Sequence, residues 1–150
     1  QPKAGVLDKA SNYKIPTVVF SKTDFESDSF LVKINHFKPD LIVLAGFLWK
    51  IPLYLVHAFP NKIINIHPAL LPKYGGKGMY GLHVHKAVYE NKELESGITI
   101  HYVNEHYDEG DFIFQKSVSI ANCDSPEAIA KTVLSVEHQF FPKVIEDLVS

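Results

Sequence analysis

Two stretches of the sequence carry side chains that could do chemistry. In Asn65-Ile66-His67-Pro68 an amide and an imidazole stand two residues apart, just before a proline. Residues two apart on a strand share a face, so Asn65 and His67 point one way while Ile64 and Ile66 face the opposite layer. Pro68 holds the residue before it extended, which keeps His67 at the strand end. An amide N–H can stabilise a developing oxyanion, and an imidazole exchanges protons near neutrality. A structural Asn and His with satisfied hydrogen bonds would fit the same places. The second stretch, Asn104 to Asp111, gathers Glu105, Asp108, Glu109, Asp111 and His106. It reads either as a solvated turn or as the carboxylate side of a site.

Other chemistries find less support. His67, His83, His85, His101 and His106 could in principle surround a metal, but His83 and His85 lie two apart on a predicted helix, where their rings diverge. No tight ligand spacing occurs elsewhere, and no metal is expected. Cys123 falls in a loop, and no serine stands in a nucleophile-elbow pattern, so nothing indicates an acyl-enzyme. Leu44-Ala45-Gly46-Phe47 has one glycine where phosphate-binding loops need several.

These residues must be positioned by elements that alternate along the chain. The patterns predict a helix from Gly5 to Ala10, a strand from Thr17 to Phe20 and a helix from Asp28 to His36 ending before Pro39. Leu41 to Gly46 is apolar on both faces, which suits a central parallel strand covered on both sides. A helix from Pro52 to His57, a strand from Ile63 to His67 and a helix from His83 to Glu90 follow. Gly97 to Val103 and Phe112 to Ser119 flank the acidic loop and predict an antiparallel pair at one sheet edge. Asp124-Ser125-Pro126-Glu127 then opens a long helix with Ile129, Val133, Val136, Phe140 and Val144 on one face. Pro142 should kink that helix or split it in two. The alternation predicts a three-layer, doubly wound, mostly parallel α/β sheet with an antiparallel edge. Ligands of such folds bind beyond the carboxyl ends of the strands.

Composition narrows the classes further. A chain of 150 residues with 46% apolar content can bury one core, read as one domain. Its net charge is -2 with scattered Lys and Arg, which gives no footprint for nucleic acid. No apolar run approaches the ~20 residues of a membrane span, so no membrane partner is expected. The single cysteine suits a reducing compartment, with cytoplasm as the expectation. No exposed apolar stripe marks an interface, and a homodimer stays open.

Taken together, Leu44-Ala45-Gly46-Phe47, Asn65-Ile66-His67-Pro68-Ala69-Leu70-Leu71-Pro72-Lys73-Tyr74, Gly81-Leu82-His83-Val84-His85, Gly97-Ile98-Thr99-Ile100-His101-Tyr102-Val103 and Asp108-Glu109-Gly110-Asp111 resemble the folate-dependent formyltransferase family over nearly the whole chain. His101-Tyr102-Val103 and the long Lys73 to His83 loop resemble its glycinamide ribonucleotide branch. The resemblance implies a Rossmann-like fold and direct formyl transfer from 10-formyltetrahydrofolate to the amine of glycinamide ribonucleotide. It places Asn65, His67 and Asp108 at the family's catalytic positions. It likewise implies folate contacts at Leu48, Trp49, Lys50, Ile51, Val56, Asn104, Glu105, His106 and Tyr107, and ribonucleotide contacts at Pro68 and Glu137. Trp49 could equally be a packing residue beside the pocket. A hydrolase that passes the formyl group to water, or a methionyl-tRNA formyltransferase, would use the same Asn, His and Asp, and a folate-binding fragment without turnover is the third reading. Family members begin with a further strand-helix-strand unit and a glycine-rich loop, which this sequence is expected to lack.

Overall fold

The computed structural model describes residues 4–150. It divides into two compact units, Gln1–Lys38 and Pro39–Ser150.

The first unit holds α1 (Gly5–Asn12), α2 (Lys22–Phe25) and α3 (Ser29–Phe37). The predicted strand at Thr17 to Phe20 does not form; residues 14–21 have neither helix nor strand up to the α2 cap. A strand needs a ladder partner, and Val18 and Val19 are instead exposed. Helix α2 was not expected, yet Ser21-Lys22-Thr23-Asp24 spells a capping box. The Ser21 hydroxyl accepts from the Asp24 N–H and the Asp24 carboxylate accepts from the Ser21 N–H. Buried Phe25 and Phe30 meet Phe20, with ring centroids 4.6 to 5.7 Å apart.

The second unit holds β1 (Ile42–Leu44), α4 (Leu53–Ala58), β2 (Ile63–His67), α5 (Leu82–Glu90), β3 (Glu95–Tyr102), β4 (Phe112–Ser119) and α6 (Pro126–Val149). Its sheet has the order β1-β2-β3-β4. The antiparallel pairing expected for β3 and β4 is present and runs one strand further in, so that among the described residues β1 and β2 form the one parallel pair. Strand β1 departs from expectation. It spans three residues, pairs only with β2 among the described residues and leaves Val43 exposed, so the cover expected on both faces is not supplied by the described residues. An all-apolar run states affinity for burial but not which neighbours supply it.

The core lies where the period of two directs it. Ile64 and Ile66 of β2 and Ile98 and Ile100 of β3 pack with Val88 of α5 and with Ile129, Val133, Val136, Phe141 and Val144 of α6. Helix α6 is one continuous helix of 24 residues through Pro142, not two pieces. The bonds around the missing donor hold, because the apolar face continues on both sides of it. Phe141 takes the buried place expected of Phe140, whose ring stacks instead on Phe114 at 5.4 Å. The Ser125 hydroxyl caps α6 by accepting from the Ala128 N–H at 3.2 Å.

The opposite face of the same strands is polar and is covered by loops. Thr99 donates to the Ala69 carbonyl at 2.7 Å and accepts from the Leu71 N–H at 3.1 Å and from Gln115 at 2.9 Å. These bonds tie the chain leaving β2 across β3. The β3–β4 ladder skips Ile113 between the pairs Ile100–Phe114 and His101–Phe112, a bulge beside His101.

Candidate active site

Register sets the site. In the β2–β3 ladder Asn65 lies opposite His101 and His67 opposite Thr99. The parallel pair Leu44–Asn65 delivers the segment after β1 to the same strand end. The acidic loop closes through the Tyr102 N–H, which donates to the Asp111 carbonyl at 2.9 Å. Gly110 is needed for this closure, because a Cβ there would overlap the Tyr102 carbonyl oxygen. Asp108, at φ 56°, is turned inward, and its side chain is 12% exposed. The stretch that could have been a solvated turn therefore carries a buried carboxylate.

Around Asp108 the polar groups interlock. Its Oδ2 accepts from the Gly76 N–H at 2.9 Å and lies 3.5 Å from His67 Nδ1; its Oδ1 lies 3.4 Å from His101 Nε2. His67 Nε2 is 2.6 Å from the Tyr74 carbonyl oxygen. A carbonyl only accepts, so His67 Nε2 carries a hydrogen and the neutral ring has its lone pair on Nδ1, facing Asp108. His101 Nδ1 donates in the same way to the Tyr102 carbonyl at 2.9 Å. Its Nε2 sits between Asn65 Nδ2 at 3.3 Å and Asp108. It accepts from the amide when bare and donates to the carboxylate when protonated.

Burial holds the His67 pKa below that of an ordinary histidine, against the opposing pull of Asp108 and the Tyr74 carbonyl, with His101 adding to the lowering. Burial acts to raise the Asp108 pKa, but the hydrogen bond with His101, the charge of His67 and the Gly76 N–H together outweigh it, and the carboxylate stays below its usual range. Near neutrality the pair is therefore a neutral imidazole beside an ionised carboxylate. A proton taken at His67 Nδ1 would complete an imidazolium with an acceptor on each side.

A cavity of about 760 Å³ opens over this cluster. It brings together Asn65, His67 and Asp108 with Leu48, Trp49, Lys50, Ile51, Asn104, His106, Tyr107, Pro68 and Glu137. Val56 and Glu105 are not among its lining residues: Val56 is half-buried on α4 and Glu105 is exposed. The segment after β1 and the acidic loop meet where Lys50 Nζ stands 5.9 Å from the centre of the Tyr107 ring. Leu48, Trp49 and Tyr107 expose 60%, 38% and 39% of their surface there, a large apolar area for one wall. Trp49 lines the cavity and also packs edge-on to Phe47. Burial raises the Glu137 pKa despite His138.

Several contributors were not singled out by the sequence. His101 stands out in the sequence as a possible metal ligand and as part of the His101-Tyr102-Val103 motif but not as a partner of Asn65 and Asp108, yet its spacing of two from Thr99 marks it for the polar face. Tyr74 and Gly76 act through backbone groups, which leave no side-chain signal. His85 is 6% exposed, lines the cavity and has an Nδ1 with no hydrogen-bond partner, while His83 is exposed, as the divergence of their rings required. Among the described residues no group of three or more His, Cys, Asp or Glu is arranged to hold a metal ion, and no helix is long and apolar enough to cross a membrane.

Comparison with known proteins identifies the family. A family model described as formyl transferase matches residues 1–145. The chain is 46% identical over 147 residues to the chloroplastic phosphoribosylglycinamide formyltransferase of Arabidopsis thaliana, covering 94% of this chain and 50% of that protein. With the phosphoribosylglycinamide formyltransferase of Bacillus subtilis (strain 168) it is 33% identical over 153 residues, covering 99% of this chain and 76% of that protein. The crystal structure of phosphoribosylglycinamide formyltransferase from Bacillus halodurans superposes with a TM-score of 0.88 at 30% identity, over 100% of this chain and 77% of that one. The chain thus spans about half the length of the plant relatives it matches. A strand-end Asn and His, a buried Asp turned back onto them and a family match over nearly its whole length have one reading: the chain belongs to the formyl transferase family.

Proposed function

We propose that the protein transfers a formyl group from 10-formyltetrahydrofolate to the amine of glycinamide ribonucleotide, directly and without an acyl-enzyme, forming formylglycinamide ribonucleotide for purine synthesis. The observation that carries this is the convergence of Asn65, His67 and Asp108 on one cavity. The relatives named phosphoribosylglycinamide formyltransferase support the choice of acceptor.

Attack of the amine on the formyl carbon creates a tetrahedral oxyanion. Asn65 has two amide hydrogens, so at least one is left to offer that oxygen however it meets His101. His67 accepts the amine proton at Nδ1, and Asp108, held by the Gly76 N–H, stabilises the imidazolium that results. The proton then passes to the departing folate nitrogen. The folate's flat ring is assigned to the wall of Leu48, Trp49, Lys50 and Ile51 with Asn104, His106 and Tyr107; the ribonucleotide is assigned to the side of Pro68 and Glu137. The setting is a reducing compartment, cytosol or plastid, and the two plant relatives carry the word chloroplastic in their names.

The test is turnover of 10-formyltetrahydrofolate with and without glycinamide ribonucleotide, for the wild-type protein and for His67→Ala. Amine-dependent transfer that falls at least ~10²-fold in His67→Ala is the expected result. Formate release that needs no amine would make the protein a hydrolase, and transfer indifferent to His67 would overturn the mechanism.

A further inference from the structure

The glycine-rich loop after β2 reaches the site through main-chain groups, and one of its residues also has a side-chain anchor on the far side. Tyr74 adopts φ 58°, a region sparsely populated by residues with a Cβ. In that conformation its carbonyl oxygen lies 2.6 Å from His67 Nε2. Its ring packs against the core, and its hydroxyl donates to Glu93 Oε1 at 2.9 Å, the same oxygen that accepts from Lys73 Nζ at 2.9 Å. Two residues further on, the Gly76 N–H holds Asp108 Oδ2. One short segment thus grips both the imidazole and the carboxylate, and its side-chain tether is the Tyr74–Glu93 bond.

A neutral imidazole has a single N–H and here two acceptors compete for it: the Tyr74 carbonyl at Nε2 and the Asp108 carboxylate at Nδ1. At equal distances the ionised carboxylate would win, because charge-assisted hydrogen bonds are about twice as strong as neutral ones. The distances are not equal. The carbonyl is at 2.6 Å and the carboxylate at 3.5 Å, beyond a good hydrogen bond. The proton therefore rests on Nε2, and Nδ1 keeps the lone pair that the reaction uses. We propose that Tyr74, anchored by Glu93, is a positioning residue that decides which ring nitrogen of His67 is the base. This rests on the transfer reaction proposed above.

Release of the anchor has a defined consequence. If the Tyr74 carbonyl swings away, Asp108 captures the ring at Nδ1, Nε2 becomes the bare nitrogen, and the base points to the wrong side of the ring. The phenol hydroxyl is the atom to remove, since Tyr74→Phe leaves the ring in the core. Glu93→Ala removes the acceptor, and Glu93→Gln retains an acceptor oxygen while losing the charge.

Long-range ¹H–¹⁵N spectra of the histidine rings, at a pH where His67 is neutral, read the tautomer independently of turnover. The wild type should show His67 protonated at Nε2. Tyr74→Phe and Glu93→Ala should move population to Nδ1–H and lower kcat about fivefold to tenfold with little change in KM for the folate, the size expected of one lost hydrogen bond. Glu93→Gln should restore both the tautomer and the rate. An Nε2–H tautomer that persists in Tyr74→Phe and Glu93→Ala overturns the proposal, and so does a Glu93→Gln variant that behaves like Glu93→Ala. A wild-type protein with the Nε2–H tautomer but no formyl transfer would overturn the proposed reaction and leave the role of Tyr74 standing.

Discussion

Strands β2 and β3 have two faces built from the same few residues, and the faces solve different problems. On one, Ile66 lies opposite Ile100, and Ile64 and Ile98 complete an apolar layer under α5 and α6. It has only volume to fill. On the other, Asn65 lies opposite His101 and His67 opposite Thr99, with His67, Thr99 and His101 each no more than 3% exposed. Burying polar groups costs free energy unless each finds a partner. Here the partners are largely backbone groups: the carbonyls of Ala69 and Tyr74 and the N–H of Leu71 in the loop after β2, and the Tyr102 carbonyl at the end of β3, while the Gly76 N–H holds the Asp108 carboxylate beside them. The difference teaches that the core is specified by side chains alone, whereas the site needs the loops to deliver main-chain atoms.

Mutation should separate the faces. On the polar face, Asn65→Ala or His67→Ala should lower formyl transfer by about 10²- to 10³-fold, because the proposed mechanism uses both groups in the transition state, while the partners left behind, such as the Tyr74 carbonyl, should cost about 1–3 kcal/mol of stability. On the apolar face, Ile100→Ala should cost about 2–5 kcal/mol of stability and leave kcat per folded molecule near wild type. Turnover and urea unfolding of the same preparations measure both. An Ile100→Ala protein that is fully folded yet inactive would mean that the two faces cannot be separated.

The apolar face was legible from the sequence because period-two alternation is local: Ile64 and Ile66 could be assigned to the core, and Asn65 and His67 to the opposite side, without knowing any neighbour. Strand β2 and the β3–β4 pair followed from the same signal. What alternation cannot supply is the identity of the neighbours. Leu41 to Gly46 reads as a fully covered strand, yet among the described residues β1 has only β2 beside it, and Thr17 to Phe20 has strand composition but finds no ladder partner there. The site divides in the same manner. Asn65 and His67 stand out by type and spacing, whereas Asp108 could not be told from its three carboxylate neighbours by residue type. Its inward turn depends on φ 56° and on the close return at Gly110, which are tertiary facts.

Thr99 qualifies the comparison, because it lies on the polar face yet belongs to the framework. Thr99→Val keeps the shape and removes the hydroxyl that joins Ala69, Leu71 and Gln115. Leaving the Ala69 carbonyl and the Leu71 N–H without that partner should cost about 1–3 kcal/mol. Thermal unfolding should show the loss. Transfer activity should fall only modestly, because neither His67 nor Asp108 bonds to Thr99. A drop as large as that of His67→Ala would mean that the Ala69–Leu71 tie itself sets the catalytic geometry.

The smallest effect is the most diagnostic of how the polar face is stabilised. Burial lowers the pKa of His67, and burial together with the neighbouring His67 lowers that of His85. Between the folded value and the unfolded value of about 6.5, the unfolded chain binds more protons than the folded one, so stability rises with pH and is lost as pH falls below about 6.5. Asp108, also lowered, contributes stability that is present above its unfolded value and is lost only at more acid pH, as its folded value is crossed. The urea midpoint should therefore be lower at pH 5.5 than at pH 7.5, each histidine contributing at most about 1.4 kcal/mol per pH unit. His85→Leu isolates one share of this. Its Nδ1 has no partner to lose, so the substitution should leave stability at pH 7.5 nearly intact and make the acid decline shallower. An unchanged decline in His85→Leu would assign the acid sensitivity to His67 alone, the one histidine of the two whose ring nitrogens face both an acceptor carbonyl and a carboxylate.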